Sequence, residues 1–112
     1  MDDNIKIEFR KTFNDVIKQT SFFTNVNTEW EKKMIFLFRL QLTLNRLLDN
    51  RVINIFEKKK IENNFLDMNI DVILNDPKIK ENELIKKETL RLLVNQFPEK
   101  FGLKRGMKII KF

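Results

Sequence analysis

Two groups of carboxylates are where chemistry would first be sought in this chain: Asp67, Asp71 and Asp76, followed by Glu81, Glu83 and Glu88. Asp67 and Asp71 are four residues apart, so on a helix both reach one side, where a hard cation could take oxygen ligands. Glu83-Leu84-Ile85-Lys86 sets a carboxylate near an amine, as metal-dependent nucleases do. Those sites need carboxylates converging from rigid elements, and nothing in this spacing brings them together. Both groups read as solvated helix faces, and no catalytic residue, metal ligand or cofactor is assigned.

The missing residue types narrow the chemistry further. There is no Cys and no His, so a disulfide framework, a thiolate nucleophile and the usual neutral-pH general base are all absent. The only glycines are Gly102 and Gly106. The first 101 residues therefore lack the glycines of a phosphate-cradling loop, a dinucleotide fingerprint or a nucleophile elbow. These absences favour a non-enzymatic protein. The excess of Lys, Asn, Ile and Phe with no Ala fits an AT-rich coding sequence.

Charge is the strongest positional signal. The chain carries 22 basic and 16 acidic residues, a formal net charge of +6. Five of the cations (Lys100, Lys104, Arg105, Lys108 and Lys111) lie in the last 13 residues, which hold no acid. That leaves 17 basic and 16 acidic residues in the first 99, close to neutrality. In KFGLKRGMKIIKF the cations alternate with Phe101, Leu103, Met107, Ile109, Ile110 and Phe112. Lys and Arg suit a phosphate backbone, and Phe101 or Phe112 could stack on an unpaired base. The same composition suits an anionic membrane surface or an acidic protein. It also suits an arm whose Ile109, Ile110 and Phe112 fold back on the core while the lysines face water.

Three further features carry an interaction reading beside a packing one. Leu44-Asn45-Arg46-Leu47-Leu48 spells LxxLL, a spacing that can present leucines to a partner groove, but in so leucine-rich a segment it reads as core. Trp30, the lone tryptophan, reads as an inter-helix anchor or part of a contact patch. Phe22-Phe23 sits in an expected loop, where aromatics must cover the core or meet a partner.

These residues need a scaffold, and the periodicity predicts helices. Ile5, Phe9, Phe13 and Val16 or Ile17 form one stripe over residues 3 to 19. Thr28-Glu29-Trp30-Glu31 is a capping-box pattern opening a helix to about Asp49. Phe36–Leu48 alternates apolar and polar residues like a strand, but it is leucine-rich, and its only β-branched residue is Thr43. Trp30, Met34, Leu37, Leu40, Leu44, Leu47 and Leu48 cover one broad helical face, with Arg39, Thr43 and Arg46 opposite. Residues 51 to 56 are either a short strand or the start of a helix reaching Phe65, with Lys58-Lys59-Lys60 as its solvated face. Leu66, Ile70, Ile73 and Leu74 suggest a separate short helix. Asp76-Pro77 caps and starts a last long helix that stops near Phe97, because Pro98 follows.

The expected architecture is a small all-α bundle of four or five helices spanning residues 1 to 99. A basic C-terminal arm, residues 100 to 112, follows and is able to add one short strand. A chain of 112 residues builds one such core. An acidic start and the lack of an apolar run of about 20 residues lead to an expectation of an intracellular, non-secreted protein with no transmembrane segment. The expected role is that of a binding or accessory protein. Its favoured partner is nucleic acid, above all RNA or a ribonucleoprotein assembly, engaged through Lys100, Phe101, Lys104, Arg105, Lys108, Lys111 and Phe112. The alternative is a protein-interaction module or inhibitor, of the kind a virus or parasite uses, binding through Phe22, Phe23 and Trp30 or an exposed helix groove.

Overall fold

The computed structural model describes residues 3–23 and 28–98. They form five α-helices and no strand: α1 (Asp3–Gln19), α2 (Glu29–Asp49), α3 (Ile55–Leu74), α4 (Pro77–Lys80) and α5 (Glu83–Gln96). A 3-10 turn, Ser21–Phe23, follows α1. The all-α bundle expected from the periodicity is what the chain builds, and Phe36–Leu48 is helical throughout. The short strand considered for the C-terminal arm falls outside the described residues.

α1 and α3 both pack against α2. Leu37, Leu40, Leu44 and Leu47 of α2 are almost wholly removed from solvent. They form one cluster with Ile5 of α1, Ile61, Leu66, Ile70 and Ile73 of α3, Leu93 of α5 and Phe97 directly after it. Each such side chain contributes about 1.5–3 kcal/mol on burial. The LxxLL leucines therefore belong to the core: Leu44 and Leu47 lie inside it, and Leu48 packs against it. An aromatic ladder ties the three helices together. Phe9 stacks on Phe13 at 5.8 Å, Phe13 meets Phe36 at 5.9 Å, and Phe36 meets Phe65 edge-on at 5.7 Å. Of the two candidates that closed the α1 stripe, Val16 is the buried one, and Ile17 is exposed.

The face of α2 read as polar is not turned to water. Thr43 is fully buried, and its hydroxyl donates to the Arg39 carbonyl at 2.8 Å. Arg39 Nε donates to Thr20 Oγ1 at 2.8 Å and its Nη2 to the Thr20 carbonyl at 3.1 Å, while Arg46 reaches the Gln19 side chain. Two cations thus meet the C-terminal end of α1, where the helix dipole is negative and carbonyls lack intrahelical partners.

Helix boundaries differ from the sequence reading in three places. Thr28 precedes α2, but its hydroxyl donates to the Glu31 carboxylate and does not accept from a backbone amide. Residues 51 to 56 are neither a strand nor a continuous helix start. α2 ends in a Schellman arrangement, with Val52 N donating to the Leu47 carbonyl at 2.9 Å and Arg51 N to the Leu48 carbonyl at 3.1 Å. Arg51 takes the left-handed position (φ 59) that usually belongs to glycine. α3 then starts at Ile55, behind an Asn54 cap that forms a full capping box with Glu57. It runs unbroken to Leu74, merging the two helices read separately in that region. The last helix is instead split. Asp76 caps the four-residue α4 by accepting from Lys78 N at 2.9 Å, and Asn82 caps α5 by accepting from Ile85 N at 3.2 Å.

One of the three adjacent lysines is also misplaced by the sequence reading. Lys58 is only 6% exposed, and its ammonium pairs with Glu62 at 3.2 Å. The ladder of α3 turns this side chain inward beside Gln41, Gln96 and Phe97.

Candidate functional site

A broad concave feature among the described residues lies between the N-terminal half of α2 and α5. Trp30, Met34 and Phe38 recur every four residues along α2, with Ile35 beside them, so they form one stripe on that helix. From α5, Ile85, Thr89 and Leu92 face them with the same spacing of four and three. The result is an open apolar groove made of two adjoining hollows that share Met34, Ile35 and Leu92. The outer hollow, about 420 Å³, runs from Trp30 and Glu31 to Ile85 and Glu88. The inner one, about 290 Å³, is walled by Leu37, Phe38, Leu93, Gln96 and Phe97.

The groove exists because α5 is anchored by only part of its surface. Leu93, Val94 and Phe97 are buried, and Gln41 Nε2 ties α2 to the Gln96 carbonyl at 3.1 Å. The other side of α5 keeps large apolar groups in water: Leu84, Ile85 and Leu92, the last 42% exposed. Along α5 from Ile85 to Phe97 the groove is about 18 Å long at the helical rise of about 1.5 Å per residue.

Among the described residues, the charged ones lining the two hollows are both acids, Glu31 and Glu88. Glu88 is bonded by Arg91, whose Nε donates to Glu88 Oε2 at 3.0 Å. That hydrogen bond and the guanidinium charge hold the Glu88 carboxyl below the ordinary carboxylate range and the Arg91 guanidinium above its own. Glu88 is thus ionised at neutral pH. The Trp30 indole N–H is buried in the wall and meets no acceptor among the described residues.

Of the residues singled out from sequence for partner binding, Trp30 lines this groove. Phe22 does not: it stands 72% exposed on the turn after α1, and the Phe23 side chain lies outside the described residues. Lys100, Phe101, Lys104, Arg105, Lys108, Lys111 and Phe112 also lie outside them. Met34, Ile35, Phe38, Ile85 and Leu92 were not singled out. Their i, i+4, i+8 and i, i+7 stripes are visible in the sequence, but their pairing across two helices is a tertiary fact. The carboxylates do not converge, and no group of three or more Asp or Glu able to hold a metal ion occurs among the described residues. No helix among them is long and apolar enough to cross a membrane.

Fold and groove together define a small all-α protein with an open apolar cleft bordered by acids. Set against models of protein families, characterised proteins and solved structures, the chain matches none.

Proposed function

We propose that this is a non-enzymatic binding protein whose α2/α5 groove takes an apolar, basic helical segment of a protein partner. One observation carries the reading: a groove walled by Trp30, Met34, Ile35, Phe38, Ile85 and Leu92, whose charged lining among the described residues is Glu31 and Glu88. An amphipathic helix laid in such a groove buries its apolar stripe and sets its cations against the two carboxylates. Patches of this kind, apolar and rimmed by polar groups, are what interaction sites present.

The test uses Trp30 as its own reporter, since the chain has no other tryptophan and no tyrosine. A synthetic helix-forming peptide of leucine and lysine is titrated into the full-length chain. It is also titrated into a full-length variant carrying Ile109→Asp, Ile110→Asp and Phe112→Asp, which removes apolar side chains from the C-terminal segment. A saturable change in Trp30 emission, lost with Leu92→Glu or Ile35→Glu and surviving about 0.5 M salt, where the Debye length is only a few Å, supports the reading. Emission unmoved in both forms overturns it.

A second reading rests on the charge distribution: five cations and no acid in residues 100 to 112 favour phosphate contacts with RNA. It predicts affinity for structured RNA that falls steeply with salt. Lys104→Ala, Arg105→Ala, Lys108→Ala and Lys111→Ala together would remove most of that affinity; RNA binding unchanged by them contradicts this second reading.

A further inference from the structure

Resting on that reading of the groove, we infer that in the free protein the α2/α5 groove is occupied by the chain's own residues 103 to 112, a cis ligand that a partner segment must displace. Three observations lead to this occupant. The first is position: Phe97, the last buried residue before the segment, is itself a wall of the inner hollow, so the chain leaves the described body at one end of the groove. The second is reach. Ten residues follow Gly102, enough for about 33 Å extended or about 15 Å helical, against a groove of about 18 Å. The segment also holds Gly106 and is preceded by Gly102, the only two glycines of the sequence, and glycine has the backbone freedom that a change of chain direction needs.

The third observation is chemistry. Leu103, Met107, Ile109, Ile110 and Phe112 supply the apolar surface, and Lys104, Arg105, Lys108 and Lys111 supply cations without a single acid. The groove presents the complement, an apolar floor with Glu31 and Glu88 as its charged lining. Tethering makes the contact intramolecular, at an effective concentration in the millimolar range for a short linker. Even weak intrinsic affinity therefore keeps the groove filled. An external segment of equal intrinsic affinity is held off until it exceeds that effective concentration, so the free protein resists casual apolar partners.

The test attaches a nitroxide at Lys111→Cys in the full-length chain, a unique site because the chain has no cysteine, and records methyl NMR intensities. Broadening confined to Met34, Ile35 and Leu92, relieved by excess leucine and lysine peptide, is the expected result. The companion result is that the peptide half-saturates the Ile109→Asp, Ile110→Asp, Phe112→Asp variant at a concentration at least tenfold lower than it does the unaltered chain. Equal half-saturation of the two forms, with groove methyls unbroadened, overturns the cis ligand while leaving the groove reading intact. Peptide binding to neither form overturns both. Equal broadening of these methyls in isotope-labelled chain without nitroxide, once mixed with spin-labelled chain, also overturns it, because the tail would then belong to a second copy.

Discussion

Adjacent leucines on α5 allow the proposed binding role to be tested apart from folding. Leu93 is 1% exposed and belongs to the core cluster, whereas Leu92 is 42% exposed and faces the groove. Leu93→Ala opens a cavity in packed surroundings and should cost about 2–5 kcal/mol, which for a domain of this size lowers Tm by roughly 10 °C or more. Leu92→Ala leaves no enclosed cavity and should cost less than about 1 kcal/mol. Its effect appears on docking. Full burial of a leucine is worth about 1.5–3 kcal/mol, so covering the 42% still in water is worth about 0.6–1.3 kcal/mol, roughly three- to ninefold in Kd. The assay pairs urea denaturation followed by circular dichroism with a Trp30 fluorescence titration. Binding is read in the Ile109→Asp, Ile110→Asp, Phe112→Asp background, since a cis ligand using the same leucine would otherwise mask the change. Leu92→Ala that destabilises as much as Leu93→Ala while leaving Kd unaltered would refute the assignment of this face to binding.

Three other outcomes follow from the described geometry. Glu62→Ala strands the buried Lys58 ammonium and should destabilise by about 3–5 kcal/mol, while the double change Lys58→Met with Glu62→Leu should restore most of the loss in the same urea series. Asn54→Ala removes the side-chain acceptor that caps Glu57 N, leaving only the backbone half of the α3 capping box, and should lower stability by about 1 kcal/mol, seen as a Tm drop without loss of helicity. For Glu88, the folded-state pKa lies below its unfolded value, so the stabilisation from Arg91 is complete above the unfolded pKa and fades as pH falls through the folded one. Carboxyl NMR of the native chain should show Glu88 titrating upward in Arg91→Ala, and an unmoved titration would deny the pair any influence.

Local signals carried most of the fold. The stripe from Ile5 to Val16 defined α1, Asp76-Pro77 marked a helix start, and Pro98 marked the end of α5, because each acts through the backbone within one or two turns. The Asn54 and Glu57 box is equally local and places the start of α3, but in the sequence it overlaps the strand-like pattern of Arg51 to Phe56. Asn82 was a weaker signal, since position N3 after it is Ile85 and no reciprocal carboxylate advertises the break. Burial of Lys58 and Thr43 was hidden for a different reason. Which side of a helix meets a neighbour depends on where α1 and α5 lie, and no spacing within α2 or α3 encodes that. The groove falls in the same category: Trp30 was recognised as a contact candidate, but its partners across the cleft, Ile85 and Leu92, become its neighbours only once α5 is docked.

The central claim is that the α2/α5 groove is a binding surface for an apolar, basic segment. The most direct measurement is a methyl and backbone NMR titration of the full-length Ile109→Asp, Ile110→Asp, Phe112→Asp variant with the leucine and lysine peptide. Shifts clustered on Trp30, Met34, Ile35, Phe38, Ile85 and Leu92 are the expected result. Shifts centred instead on Phe22 or on the exposed Phe56 of α3 would contradict it and move the binding surface elsewhere.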